Sequence, residues 1–145
     1  MRKTGETKVY RNNNLHILDL IGRTVSEAVD RDSVYFFITD KISDTGFIMK
    51  TMLNLMDKGC NTFYFYGKYK DIWHRTVKDL SGHKNLRNCD SIDDTAGKAA
   101  SFLNSGRDVY LLYDSHEPCA LVADKIREHE MHVSFHTGSL INSME

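Results

Sequence analysis

The sequence predicts a single three-layer α/β/α domain over residues 1–145, with a five-stranded, mainly parallel sheet of the Rossmann-like or flavodoxin-like type. Two observations predict this class. Short, continuously apolar segments such as VYFFIT and TFYFYG lack the polar alternation of a half-exposed strand, as is typical of strands covered on both faces. They alternate with stretches whose apolar residues recur every three or four positions, which predicts helices between parallel strands.

Strands are predicted at 34–39, 62–66, 86–90, 109–113 and 132–136, and the strand at 86–90 is predicted mainly because the alternation with helices requires one. Residues 1–13 are polar and are predicted to form an N-terminal arm. The last strand has only nine residues after it, too few for a covering helix. We therefore expect a helix over 14–30 to cover that part of the sheet through Leu18, Ile21 and Val25.

The helices are predicted from their caps and from the glycines that follow them. N-caps are expected at Asn14, Asp93 and Ser115, because Asn, Asp and Ser side chains accept hydrogen bonds from the first free N–H groups of a helix. Gly59 and Gly106 stand where two helices are expected to end.

Composition and charge exclude several classes of protein. The net charge is −1, from 19 basic and 20 acidic residues, which argues against nucleic acid as a partner. No apolar run is long enough for a signal peptide or a membrane span, so we expect a cytoplasmic protein without a membrane partner. Cys60, Cys89 and Cys119 are scattered and odd in number, which indicates reduced thiols. A homo-oligomer is compatible with the sequence.

The candidate site is the crevice at the carboxyl ends of the strands, where open parallel sheets bind ligands. Polar and small residues follow each predicted strand there. The residues predicted to contact a ligand are Asp40, Lys41, Asp44, Thr45, Gly46, Lys68, Asp114, Ser115 and His136. The alternative interpretation is structural, since loops are polar in any case and Asp or Ser at these positions can cap the next helix.

The segment ITDKISDTGFIM, residues 38–49, predicts an anion site at the start of a helix. The free N–H groups of a helix N-terminus suit a phosphate. Thr45 adds a hydroxyl donor, Gly46 permits close approach, and Lys41 supplies charge. The competing interpretation is that Ser43 or Asp44 simply caps this helix.

The same segment resembles the PRPP-binding loop of phosphoribosyltransferases, in which an apolar strand ends in two acidic residues and a Thr-Gly-x-Thr turn opens a helix. Asp40 matches the first acidic position, and the run from Asp44 to Gly46 matches the turn. Lys41 stands in place of the second acid, and Ile48 in place of the second threonine. The resemblance implies a ribose-phosphate ligand, but both departures fall on groups that would hold it.

Two H-x-[ST] triplets, His74–Thr76 and His132–Ser134, resemble the paired motifs of two-histidine phosphoesterases. The first triplet has helical spacing, which does not suit a pair of facing strands. The histidines of residues 129–136 lack a recognised metal-ligand spacing, and no metal site is assigned. Three strand-end carboxylates could together hold Mg²⁺ if the strand order brings them together, namely Asp40, Asp90 and Asp114.

The sequence thus predicts a small domain that binds a nucleotide or another phosphate-bearing small molecule at the carboxyl ends of its strands. Two alternatives remain open, a non-enzymatic regulatory or interaction module on the same scaffold and, third, a metal-assisted phosphoesterase. No residue set defines a reaction, so enzymatic activity, catalytic residues and cofactors are not assigned.

Overall fold

The computed structural model of the protein describes residues 14–21, 32–81 and 85–143, the residues from 130 onward by their backbone alone. The strands are β1 (Leu15–Asp19), β2 (Val34–Ile38), β3 (Thr62–Tyr66), β4 (Asn85–Asn88) and β5 (Val109–Tyr113). The helices are α1 (Thr45–Asp57), α2 (Lys70–Ser81), α3 (Ile92–Asn104) and α4 (His116–Ser143). From β2 onward, strands and helices alternate as the sequence predicts.

All five strands pair in parallel in the order β1-β5-β2-β3-β4. The chain steps outward from β2 to β3 and β4 through α1 and α2, and α3 then returns it across the sheet to β5 on the other side of β2. The strand order therefore reverses between β2 and β5. In open parallel sheets, the crevice at such a reversal is the usual place for a ligand.

The central strand β2 explains why the strand segments are apolar without alternation. All five of its residues are buried. Phe36 and Ile38 pack in one core cluster with the inner sides of α3 and α4. Tyr35 and Phe37 face the other way and pack with α1 and α2. Both faces of the sheet are thus covered by helices, and the predicted three-layer α/β/α sandwich is confirmed.

The helix predicted over 14–30 is wrong at its start, where residues Leu15–Asp19 form the edge strand β1. Leu15, Ile17 and Leu18 fit the spacing of a helix and that of a short strand equally well. Pairing with β5 decides between them, because it gives this backbone a ladder of hydrogen bonds along the full length of the strand. Residues 22–30 of the predicted helix lie outside the described residues.

The strand predicted over 132–136 is also wrong, because α4 continues as one helix from His116 to Ser143. A strand that follows β5 and α4 in the chain could pair directly with β5 only if one side of β5 were free. β1 already pairs with one side of β5 and β2 with the other, so the fifth strand of the sheet comes from before β2 rather than from after β5.

Two boundaries near the end of β4 also differ from the prediction. The strand ends at Asn88, so Cys89 and Asp90 lie in the loop beyond it. Ser91, rather than Asp93, caps α3, and its hydroxyl oxygen accepts a hydrogen bond from the N–H of Asp94 at 3.0 Å. Hydroxyl and carboxylate caps are equally common, so the exact position was not readable from residue type.

Candidate functional site

The crevice between β2 and β5 is occupied by the chain's own Asp114. This residue follows β5 and is only 5% exposed. Its carboxylate accepts hydrogen bonds from three consecutive backbone N–H groups, those of Asp40 at 2.8 Å, Lys41 at 3.0 Å and Ile42 at 2.7 Å. Successive N–H groups of this kind form a concave anion site. The junction after β2 therefore does bind an anion, and that anion is an internal carboxylate.

The first turn of α1 is capped by Asp44. The Asp44 Oδ2 atom accepts a hydrogen bond from the N–H of Phe47 at 2.8 Å. Thr45 and Gly46 are exposed beside it. A Cβ atom added at Gly46 would lie 3.3 Å from that same carboxylate oxygen. An external phosphate would thus meet a negative charge at this turn, and the predicted anion site there stays a prediction.

Asp40 ties the loop after β2 to the loop after β3. Its carboxylate accepts a hydrogen bond from the backbone N–H of Lys68 at 2.7 Å. The preceding residue, Gly67, has a φ of 119°. A Cβ atom at Gly67 would lie 2.4 Å from the carbonyl oxygen of Thr39, so only glycine fits where the two strand ends approach.

The structure thus brings most of the predicted site residues to one edge of the sheet. Asp114 contacts the loop that contains Asp40 and Lys41, and Ser115 follows Asp114 as a half-buried residue. His136 is the exception. It lies within α4, in the part described by its backbone alone and about 30 Å along the axis from the helix start at 1.5 Å per residue. Because residues 132–136 are helical, His136 does not lie at the end of a strand.

A second feature of the carboxyl edge is an open cleft between the first turn of α3 and the second to fourth turns of α4, here called the edge cleft. The helix α3 begins after β4 and α4 begins after β5, and these strands are three places apart in the sheet. Three strand spacings place the ends of β4 and β5 about 14 Å apart, more than the distance of about 8–10 Å between packed helices, and α3 and α4 pack together further along their length. The edge cleft has a volume of about 560 Å³.

The floor of the edge cleft is apolar. It is formed by Tyr66 at the end of β3, Ile92 in the first turn of α3 and Leu121 on α4. Leu121 is 45% exposed, a large apolar side chain in contact with solvent. Burial, together with the negative charge of Asp40, raises the pKa of Tyr66, which keeps its hydroxyl protonated at neutral pH. The floor therefore offers an aromatic and two aliphatic side chains to a ligand.

The rim of the edge cleft is charged. Asp90 and Asp93 come from the α3 side, and Asp124, Lys125 and Glu128 come from α4. The ammonium group of Lys125 lies 3.5 Å from a carboxylate oxygen of Asp93 and 3.5 Å from one of Glu128. The charges of Asp93 and Glu128 raise the pKa of Lys125. Lys125 thus links the two walls of the cleft.

The α3 wall of the edge cleft is fixed by a local hydrogen-bond network. Ser91 lines the cleft and caps α3 through the N–H of Asp94. The Asp94 carboxylate in turn accepts a hydrogen bond from the N–H of Asp90 at 2.9 Å and pairs with Lys98. The Lys98 ammonium and the Asp90 N–H lower the pKa of Asp94. The S-x-x-D spacing of Ser91 and Asp94 was the sequence signal for this wall, and it was missed.

The described side chains give no support to the paired-histidine motif or to a metal site. His74 lies in α2, and its Nδ1 atom is 2.9 Å from the side-chain oxygen of Asn88, so the triplet does not lie on a strand. Among the residues whose side chains are described, no three His, Cys, Asp or Glu residues are placed to hold a metal ion.

The three cysteines are buried, and none is paired in a disulfide. Burial raises the pKa of Cys119 to about 12 and that of Cys89 to about 11. Their thiols are therefore protonated at neutral pH, which makes them poor nucleophiles.

Comparison of the chain with protein-family models, with curated proteins and with solved structures gave no match. In the described part of the chain, no helix combines the length and the apolar character that a membrane span needs. The class that fold and site define is an α/β protein with a parallel sheet, a crevice between β2 and β5 where Asp114 binds the loop after β2, and an open cleft beside it.

Proposed function

We propose that this protein binds a small molecule in the edge cleft, at the carboxyl ends of β3 and β4. The observation that carries the proposal is an open cleft of about 560 Å³ with an apolar floor and a charged rim. Sites for small molecules typically have volumes of about 300–1,000 Å³, with mostly apolar walls and a few placed polar groups. The carboxyl edge is also where parallel sheets bind their ligands.

The nucleotide that the sequence predicts fits this cleft in part. Tyr66 offers a ring on which a base can stack. The rim carboxylates accept hydrogen bonds from sugar hydroxyls, as an acidic residue after a strand does in dinucleotide-binding folds. A phosphate, however, would meet the carboxylates of Asp90 and Asp93. We therefore propose that the ring-bearing part of such a ligand, rather than its phosphate, enters the edge cleft.

A thermal-shift screen tests the proposal, because a ligand that binds only the native state raises its stability, by about 2.7 kcal/mol at a hundredfold excess over Kd. The compounds should include nucleosides, nucleotides, sugar phosphates, amino acids and amines. Each stabilising compound is then measured on Leu121→Arg, which fills the cleft, and on Leu53→Arg, a matched control on α1. Leu121 and Leu53 are 45% and 44% exposed, so neither substitution disturbs the core.

The proposal expects stabilisation that survives in Leu53→Arg and disappears in Leu121→Arg. A compound that stabilises both variants equally binds elsewhere and contradicts the proposed site.

A non-enzymatic regulatory or interaction module is the second candidate. The observation that favours it is the filled crevice between β2 and β5, because Asp114 occupies the place where this fold usually holds its ligand. A screen in which no compound stabilises the protein would favour this candidate over the first.

A further inference from the structure

The edge cleft has an acidic rim on both of its walls. Four carboxylates and one ammonium group line it. Each of the four acidic side chains is more than half exposed, with values of 90% and 77% on the α3 side and 57% and 65% on α4. Two further cations approach from outside the lining, Lys70 at 3.8 Å from Asp90 and Arg127 at 2.8 Å from Asp124. Even with these counted, carboxylates outnumber cations around the cleft by four to three.

The chain's own Lys125 marks a position for a cation inside this rim. Its ammonium group lies 3.5 Å from the carboxylates of both Asp93 and Glu128, which come from opposite walls. These distances exceed those of a direct charged hydrogen bond, which are about 2.7–2.9 Å. Exposed ion pairs of this length are weak. A second ammonium group can therefore compete with Lys125 for the same carboxylates.

The floor of the edge cleft supplies the apolar surface that the charged rim lacks. Tyr66 lines the cleft with an aromatic side chain, and aromatic faces attract cations. Ile92 and Leu121 add aliphatic surface that gains from being covered. A ligand that matches both parts has a positive group and an apolar body.

We infer that the edge cleft accepts a small organic cation, in which an ammonium or guanidinium group is carried on an apolar ring or chain. The positive group lies among the rim carboxylates, and the apolar body lies on Tyr66, Ile92 and Leu121. This inference rests on the proposed function, because it names the class of ligand for the same cleft.

Three probes of similar body and different charge, together with one larger phosphate-bearing probe, separate the possibilities. Phenethylamine carries a cation, 2-phenylethanol is neutral, 3-phenylpropionate carries an anion, and adenosine monophosphate carries a phosphate on a larger ring system. Each is titrated into the ¹⁵N-labelled full-length protein, and binding is followed through the backbone amides of residues 90–93 and 121–128. We expect phenethylamine to bind most tightly, and its affinity to fall with added salt as surface charges are screened.

Charge variants of the rim give the sharper test. Neutralising two carboxylates in the double variant Asp124→Asn with Glu128→Gln should weaken phenethylamine about two- to fivefold for each group removed, and should leave 2-phenylethanol unchanged. Lys125→Met removes the competing ammonium and should strengthen phenethylamine binding about two- to fivefold. Lys50→Met, which removes an exposed lysine of α1, is the matched control and should change nothing.

The outcomes separate this inference from the proposed function on which it rests. Equal or tighter binding of the neutral or anionic probes at the same amides, or no effect of Lys125→Met on phenethylamine, overturns the cation inference and leaves the cleft as a binding site. If none of the four probes moves those amides at millimolar concentration, the cation inference fails. If the thermal-shift screen then also finds no compound that depends on Leu121, the proposed function fails as well.

Discussion

At the scale of single residues, Asp114 has the largest effect on the carboxyl edge. Its position after an apolar strand could be predicted, because β5 is an unmistakable strand segment. Its partners could not, since they belong to a loop more than seventy residues earlier in the chain. Only the strand order, with β5 beside β2, brings the carboxylate to that loop. The sequence predicted an anion site at the first turn of the next helix, near Asp44, and did not predict that the N–H groups of residues 40–42 bind Asp114.

The substitution Asp114→Ala tests this account of the crevice. It removes the acceptor of three N–H groups, and leaving even one buried donor unsatisfied costs about 1–3 kcal/mol. We expect a loss of at least that size in the free energy of unfolding, measured with urea. Added formate should recover part of the loss relative to chloride at equal ionic strength, because the small carboxylate can enter the vacant site.

Asp124→Ala is the control, because it removes an exposed carboxylate paired with Arg127. Formate should have the same small effect on this variant as on wild type. Equal effects of formate on Asp114→Ala and on wild type would show that the N–H groups of residues 40–42 do not form an anion site.

At the scale of elements, the prediction of strands and helices was accurate where the apolar spacing fitted only one kind of secondary structure. The strands β2, β3 and β5 and the helix α1, with Ile48, Met52 and Leu55 buried, were predicted within a residue or two. It was inaccurate where a short apolar run fitted two patterns. Residues 15–19 form a strand because they pair along β5, whereas residues 132–136 lie within the single helix α4.

The turn between β3 and α2 gives a prediction at this scale, because it requires a glycine. The substitution Gly67→Ala places a Cβ atom 2.4 Å from the Thr39 carbonyl oxygen, at a φ of 119°. Strain of this kind costs on the order of 1–3 kcal/mol. We expect a loss of at least that size in the free energy of unfolding.

Gly97→Ala is the matched control, since Gly97 lies within α3 and a Cβ atom there meets nothing within 4 Å. It should stabilise the protein by about 0.5–1 kcal/mol. Loss of stability in the Gly97 variant, or none in the Gly67 variant, would contradict the described geometry of these two elements.

At the scale of the whole molecule, the edge cleft is a consequence of topology. The return of the chain from β4 to β5 across two intervening strands separates the starts of α3 and α4. The sequence indicated that ligand chemistry would lie at the carboxyl edge, but it did not give the strand order that places Leu121 and Glu128 beside Tyr66. For this reason the cleft residues on α4 were not among the predicted site residues, although each is polar or exposed.

The central claim is that the edge cleft, rather than the crevice between β2 and β5, binds the ligand. A crystal structure of the protein with the strongest stabilising compound from the thermal-shift screen tests it most directly. The account predicts that the compound lies between α3 and α4, against Tyr66 and Leu121, while the Asp114 carboxylate keeps its bonds to residues 40–42. A compound bound at residues 40–46, with Asp114 displaced from those N–H groups, would contradict it.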